Sequence, residues 1–263
     1  MMAFPPERIV CLTEETVETL YLLGQADRIV GVTGYAVRPP QVRREKPRVG
    51  AFTSADIHGI LALNPDLVLT FSDLQADIAA DLIRRGIVVH AFNQRSVAGI
   101  LDMIRTLGAI VAESERAEAL AAQYEARLDD VARRHADQPK PRVYFEEWDE
   151  PRIAGIRWVS DLISIAGGTD VFAARATAPD ATSRIVSDAE ILAAAPEVIV
   201  ASWCGKKVRT ERIAARDGWS DLPAVRNARI CEIKSPLILQ PGPAALTDGL
   251  DALCAALHGG RNQ

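Results

Sequence analysis

The chain has 263 residues, 48% hydrophobic and 25% charged, with a formal net charge of −5 when the histidines are neutral. That is enough chain for one large domain or two lobes with a real core. The acid excess speaks against a nucleic-acid partner, and no run of about 18 apolar residues is present to span a bilayer.

The opening, MMAFPPERIVCL, lacks a basic segment, an apolar stretch and a small-residue cleavage site, so no secretory signal is expected in the chain as it stands. Residues 8–12, RIVCL, read as a short buried strand. Thr13 then stands as a cap before Glu14 and Glu15, and a helix runs to about Leu23 and stops at Gly24. A second strand covers 28–33, and 34–54 is a Pro- and Arg-rich loop. Helices at 56–63, 75–85 and 96–111 alternate with strands at 66–71 and 87–92. Strand and helix alternating at these lengths indicate parallel βαβ units.

Residues 114–135 hold neither Gly nor Pro, and Pro139 and Pro141 follow. Ser114 is placed to cap this stretch. Glu115 and Glu118 sit in its first turn, and Arg133, Arg134 and His135 in its last, as the helix dipole favours. Leu120, Tyr124, Leu128 and Val131 recur on one face. Asp129/Arg133 and Asp130/Arg134 are acid-before-base pairs four residues apart. At ~1.5 Å per residue the predicted helix is ~33 Å long.

Beyond it the rhythm restarts. A strand at 142–146 runs into the acidic stretch EEWDEP. A helix at 158–165 ends at Gly167-Gly168, 170–173 is strand-like, and 174–183 is a polar loop of small residues. A helix at 188–195, a strand at 197–202, a loop at 203–207, a short helix at 210–215 and a strand at 229–234 follow. A Pro/Gly loop at 236–243 and a helix at 244–257 close the chain. Residues 60–70, ILALNPDLVLT, and 191–201, ILAAAPEVIVA, echo one another as helix end, Pro, acid and apolar strand. The predicted fold class is α/β: two Rossmann-like lobes with parallel sheets, at 8–112 and 139–258, joined by one long helix at about 114–136 within a 113–138 connector. Ligands of open parallel sheets gather outside the carboxyl ends of the strands, so the binding site is expected in a cleft between the lobes.

The loops expected there are 13–16, 34–38, 50–53 and 71–73, then 146–151, 157–158, 202–207 and 235–243. The first group offers Thr13, Glu14, Tyr35, Arg38, Phe52 and Phe71; the second offers Glu147, Trp148, Trp158, Trp203, Cys204, Lys206 and Gln240. Trp supplies large flat apolar area at low entropy cost, which suits a planar or macrocyclic ligand; the alternative for these three is packing within the second lobe. Glu146, Glu147 and Asp149 either accept hydrogen bonds from a ligand or form a solvated strand end. Arg38, Lys206 and Lys207 either meet an anionic group or are solvated charges. Cys204 is either a reactive thiol beside two lysines or a packing thiol. Cys11, Cys231 and Cys254 stand in apolar runs and read as buried free thiols. The four histidines form no HxH or HxxxH pair, so a bare zinc or manganese site is not expected; no cofactor of the protein's own is expected either. No GxSxG, P-loop or GxGxxG follows a strand, so no enzyme is expected.

The stretches RIVCLTEETVETLYLLGQADRIVGVTGYAVRPP, KPRVGAF, ILALNPDLVLT, GGTDVFA and RNARICEI, in that order, resemble the ABC-transporter substrate-binding proteins whose two lobes share a backbone helix. The cobalamin-binding branch is the most similar, and the resemblance covers nearly the whole chain. It implies non-catalytic capture of cobalamin or another metal chelate between the lobes, with little closure because the helix is stiff. It also implies delivery to an ABC permease at the membrane, a monomer, and a periplasmic or cell-envelope location. A ferric siderophore or haem stays open as the cargo, as do an intracellular carrier of this fold and a chelatase-like enzyme. The family docks through one acid on each lobe; the matching positions are Asp221, beside Trp219, and the neighbourhood of Ala76 and Asp77.

Overall fold

A computed structural model gives the structure of residues 4–259. They fall into two units, residues up to Gln94 with Ala98–Gln123, and Arg95–Val97 with Tyr124 onward. The division passes through the long helix itself, half of which belongs to each unit.

The first unit comprises β1 (Ile9–Cys11), α1 (Glu14–Leu22), β2 (Ile29–Val32), α2 (Val42–Glu45), α3 (Ile57–Ala62), β3 (Leu67–Phe71), α4 (Ala76–Arg84) and β4 (Val89–Phe92), with most of α5 (Val97–Ile110) and the start of α6 (Ser114–Arg134). Its four strands are parallel in the order β2-β1-β3-β4. Every residue of β1 and β3 is buried, which is why both read as continuous apolar runs rather than alternating ones. Val10, Leu12, Ile60, Val68 and Leu82 pack together against the sheet. Gly108 lets α5 approach α6 closely: a Cβ there would lie 2.1 Å from the Cβ of Ala117.

The second unit continues with β5 (Arg142–Asp149), β6 (Arg152–Ala154), α7 (Arg157–Ile165), β7 (Thr169–Asp170), α8 (Ala173–Ala176), α9 (Asp188–Ala194), β8 (Val198–Ala201), α10 (Thr210–Ala214), α11 (Pro223–Arg226), β9 (Ile230–Glu232), α12 (Ser235–Ile238) and α13 (Leu250–His258). Strands β7, β5, β8 and β9 are parallel and repeat the order of the first sheet. Strand β6 is added antiparallel to the far end of β5.

The echo between 60–70 and 191–201 extends to the backbone. Asn64 and Ala195, each just before a proline, both take left-handed conformations, at φ 47° and 43°. Arg8 donates to the carbonyls of Leu63 and Asn64, and Arg142 donates to the carbonyl of Ala194. Asp66 accepts from the N–H groups of Glu7 and Arg8, and Glu197 from the N–H of Arg142. In each unit an arginine and an acid thus tie the start of the first strand to the turn before its inner neighbour, β3 or β8.

Several expectations are corrected. EEWDEP is no loop, since β5 runs to Asp149 and turns back as a hairpin. Four-residue helices, α2, α8 and α12, interrupt segments expected to be loops, and a π-turn at Ala245–Gly249 precedes α13. In α6, Ser114 is the first helical residue rather than the cap. Its buried face is Ala117, Ala121, Tyr124, Leu128 and Val131, with Leu120 only half-buried. Asp130 pairs with both Arg133 and Arg134, at 3.5 and 3.0 Å, while Asp129 contributes only its carbonyl to Arg133. Cys11 is buried, and burial pushes its thiol up to about 12. Cys231 and Cys254 are half-buried rather than buried. Among the described residues no helix is long and apolar enough to cross a membrane.

Candidate functional site

In the first unit the carboxyl ends of β1 and β3 are organised by a residue that reads in the sequence only as a helix start. Gln75 is 1% exposed. Its Oε1 accepts from the N–H of Phe71 at 3.0 Å, and its Nε2 donates to the carbonyls of Leu12 at 3.0 Å and Phe52 at 2.8 Å. The last two partners lie 63 and 23 residues away, so no local pattern signals them. One amide therefore holds three of the expected loops.

Beside them α1 begins. The Thr13 and Thr16 hydroxyls are buried 3.1 Å apart, and Thr16 donates to the Thr13 carbonyl. Glu14 and Glu15 are 9% and 2% exposed, and each has one buried carboxyl oxygen without a hydrogen-bond partner. Burial, reinforced by the charges of Glu15 and Glu18, pushes Glu14 up to about 8. Burial also pushes Glu15 up to about 7, against hydrogen bonds from its own backbone and Thr13. Loss of water disfavours the charged form, so Glu14 keeps its proton at neutral pH and becomes a hydrogen-bond donor. Arg38 donates to Glu18 at 2.8 Å. Phe71 is buried, Phe52 half-buried and Tyr35 46% exposed.

In the second unit three acids of the β5–β6 hairpin, Glu146, Glu147 and Asp149, each have a cation. Glu146 has no exposed surface; Arg216 grips it with two bonds at 2.5 and 2.9 Å, and the Trp203 Nε1 and the Tyr144 hydroxyl each donate at 3.2 Å. Both oxygens of Glu147 are held by Arg184, itself 3% exposed. Asp149 accepts from Lys206 at 2.6 Å. The Lys206 ammonium lies 5.4 Å from the Trp148 ring and 5.1 Å from that of Trp203, within cation–π range. A pocket of about 250 Å³ opens here. It is lined by Asp149, Glu150 and Arg152 of the hairpin, by Trp203, Lys206 and Lys207 after β8, and by Arg209, Arg212 and Arg216 around α10.

The structure therefore gathers Trp148, Trp203 and Lys206 at one place, and Thr13, Glu14, Phe52 and Phe71 around the loops that Gln75 ties. Trp158 is 4% exposed and donates to the Ile238 carbonyl at 2.9 Å, as a core residue does. Trp203 also belongs to the buried core cluster that holds Trp219 and Tyr144. Cys204 is exposed, and Gln240 is half-buried in the turn after α12. Sequence reasoning passed over Gln75, Glu15, Arg184 and the arginines around α10. The partners of Arg184 and Arg216 lie far away in the sequence, and of Arg209, Arg212 and Arg216 only Arg212 stands within α10, so no local spacing groups them. Asp77 is exposed in the first turn of α4, and Asp221 is exposed in the turn before α11. Each lies on the crossover from the third strand of its sheet to the edge strand. Among the described residues no group of three or more His, Cys, Asp or Glu could hold a metal ion.

Residues 9–237 match the family described as periplasmic binding protein. The chain is 28% identical over 262 residues to the vitamin B12-binding protein of Vibrio cholerae, a match covering 97% of this chain and 90% of that one. It is similar to the crystal structure of the periplasmic vitamin B12 binding protein BtuF of Vibrio cholerae, with a TM-score of 0.78 and 27% identity over 99% of this chain and 100% of the other. It is equally similar to the periplasmic heme-binding protein RhuT from Roseiflexus sp. RS-1, with a TM-score of 0.80 and 28% identity over 96% and 99%. The family match begins at β1 and ends within α12, taking in both α/β units, and the chain belongs to the periplasmic binding proteins.

Proposed function

We propose that this protein captures a corrinoid, cobalamin or a close relative, without chemistry on it, and hands it to an ABC importer at the cell envelope. The observation that carries this reading is end-to-end similarity to a vitamin B12-binding protein in both sequence and structure. The ligand-facing residues are those at the carboxyl ends of the two sheets: Thr13, Glu14, Tyr35, Arg38, Phe52 and Phe71 in the first unit, and Trp148, Trp203 and Lys206 in the second. Aromatic faces supply area for a macrocycle, and the protonated Glu14 supplies a donor for its amide carbonyls. Glu147, held by Arg184, and the buried Trp158 brace these, while the exposed Cys204 and the half-buried Gln240 complete the set of ligand-facing candidates in the second unit. Delivery is supported by Asp77 and Asp221, one exposed acid on the corresponding crossover of each unit. An envelope location is supported by the likeness to the periplasmic vitamin B12 binding protein of Vibrio cholerae and to an ABC transporter substrate-binding lipoprotein of Bacillus subtilis, 25% identical over 96% of this chain.

Titration of the purified protein with cyanocobalamin and with hemin, followed by absorption and calorimetry, tests the cargo. Cobalamin is expected to bind with a Kd below about 10 μM, roughly −7 kcal/mol. No binding at tens of micromolar sinks the corrinoid reading. Haem is the second reading, favoured by the likeness to the heme-binding RhuT, and tighter binding of hemin than of cobalamin establishes it.

A further inference from the structure

The pocket of about 250 Å³ in the second unit is lined by six cationic side chains and two acidic ones. Three of the cations are neutralised. Arg216 is held by Glu146, Arg152 by Asp188 at 3.0 Å, and Lys206 by Asp149. Lys207, Arg209 and Arg212 form no ion pair among the described residues, although Lys207 is near enough to Glu232 for their charges to interact. Of the two lining acids Asp149 is taken up by Lys206 and Glu150, exposed, forms no ion pair among the described residues, so three unpaired cations face one unpaired acid, and like charges in excess on one concavity favour an added anion. Arg212 lies within α10, Arg209 is the residue before its first turn and Arg216 follows its last, and all three line the same pocket. A guanidinium is a rigid planar fork of donors that matches tetrahedral oxyanions. Arg216 is fixed in place by two bonds to a wholly buried carboxylate, so part of the pocket is built before any ligand arrives.

We propose that this pocket is an oxyanion subsite for a phosphate-class group, with Arg209 and Arg212 as its free donors and Lys207 as supporting charge. The phosphate has two possible sources, an ester carried by the cargo or free inorganic phosphate. The cargo source rests on the corrinoid reading; the subsite does not.

Equilibrium dialysis of the full chain with radiolabelled inorganic phosphate, wild type against R209Q/R212Q, decides the subsite. Saturable uptake of one phosphate per chain is expected, weakened about tenfold or more in the variant. No saturable uptake up to about 10 mM, or equal uptake by both proteins, overturns the proposal. The single variants R209Q and R212Q are each expected to lose part of the affinity, so the test survives if the double variant fails to fold. A second arm compares cyanocobalamin, which carries a phosphodiester, with dicyanocobinamide, which carries none. If the cargo supplies the phosphate, the advantage of cobalamin over cobinamide shrinks about tenfold in R209Q/R212Q. If that advantage is unchanged while inorganic phosphate still needs the arginines, the source is free phosphate. If neither corrinoid binds wild type, the corrinoid reading fails, and dialysis still decides the pocket.

Discussion

Glu146 has no exposed surface, and Arg216, Trp203 and Tyr144 all donate to its carboxyl group. Removing that acid leaves Arg216, whose side chain is 14% exposed, without its counter-ion. Glu146→Gln is therefore expected to cost about 2–4 kcal/mol in urea unfolding, somewhat under the cost of breaking a fully buried pair. A loss under about 0.5 kcal/mol would mean that the pair is not held in solution. Glu14 and Glu15 act in the opposite sense. Their ordinary carboxyl value is 4.5, and in the fold they stand at about 8 and about 7. The folded chain keeps protons that the unfolded chain has released, so this contribution to stability is complete below about pH 4.5 and is lost as pH rises through 7 and 8. Urea midpoints of wild type should fall between about pH 5 and 8, and those of E14Q/E15Q should fall less. Parallel curves for the two proteins would refute the assignment. At this scale the sequence was half legible. The strand-end positions of Thr13, Glu14 and Phe71 are legible because an apolar run gives way there to the start of a helix. Gln75, Arg184 and Arg216 are missed because their partners lie tens of residues away, where only the folded chain brings them together.

Element by element, periodicity and punctuation were good guides. Gly24 and Gly86, and the Pro after each echoed helix, mark real ends, and α6 lies within a residue or two of its expected bounds. The hairpin of β5 and β6 was not legible. Its strands carry acids and a Trp instead of a clean alternation, because Glu146 is buried and Glu147 half-buried, each with an arginine partner, rather than solvated. The α5–α6 contact offers an element-scale test. A Cβ at Gly108 meets the Cβ of Ala117 and, at 3.1 Å, the carbonyl of Glu113. Gly108→Ala must push the helices apart, at a cost of about 1–3 kcal/mol despite the better helix propensity of alanine. An unchanged or higher thermal midpoint would show that the helices yield freely.

Across the whole molecule, two units repeat one strand order and one arginine–acid tie, and each exposes an acid on the crossover from its third strand to its edge strand. Reversing both, as D77K/D221K, is expected to abolish cobalamin uptake through the cognate importer in cells while leaving the Kd of the purified protein as it was. Uptake that survives the reversal rejects docking through these residues. A bound cargo stabilises the fold by mass action, about 2.7 kcal/mol at a hundredfold excess over Kd, so the unfolding curve itself is a binding assay. Gln75 has a further consequence. Its side-chain amide donates to two carbonyls that the chain brings from different loops. The two protons of that NH₂ should appear in an NMR spectrum as a resolved pair that exchanges slowly with water. They would lose that protection as soon as any one of the three loops came away, so a single side chain serves as a spectroscopic gauge of order at the carboxyl end of the first sheet.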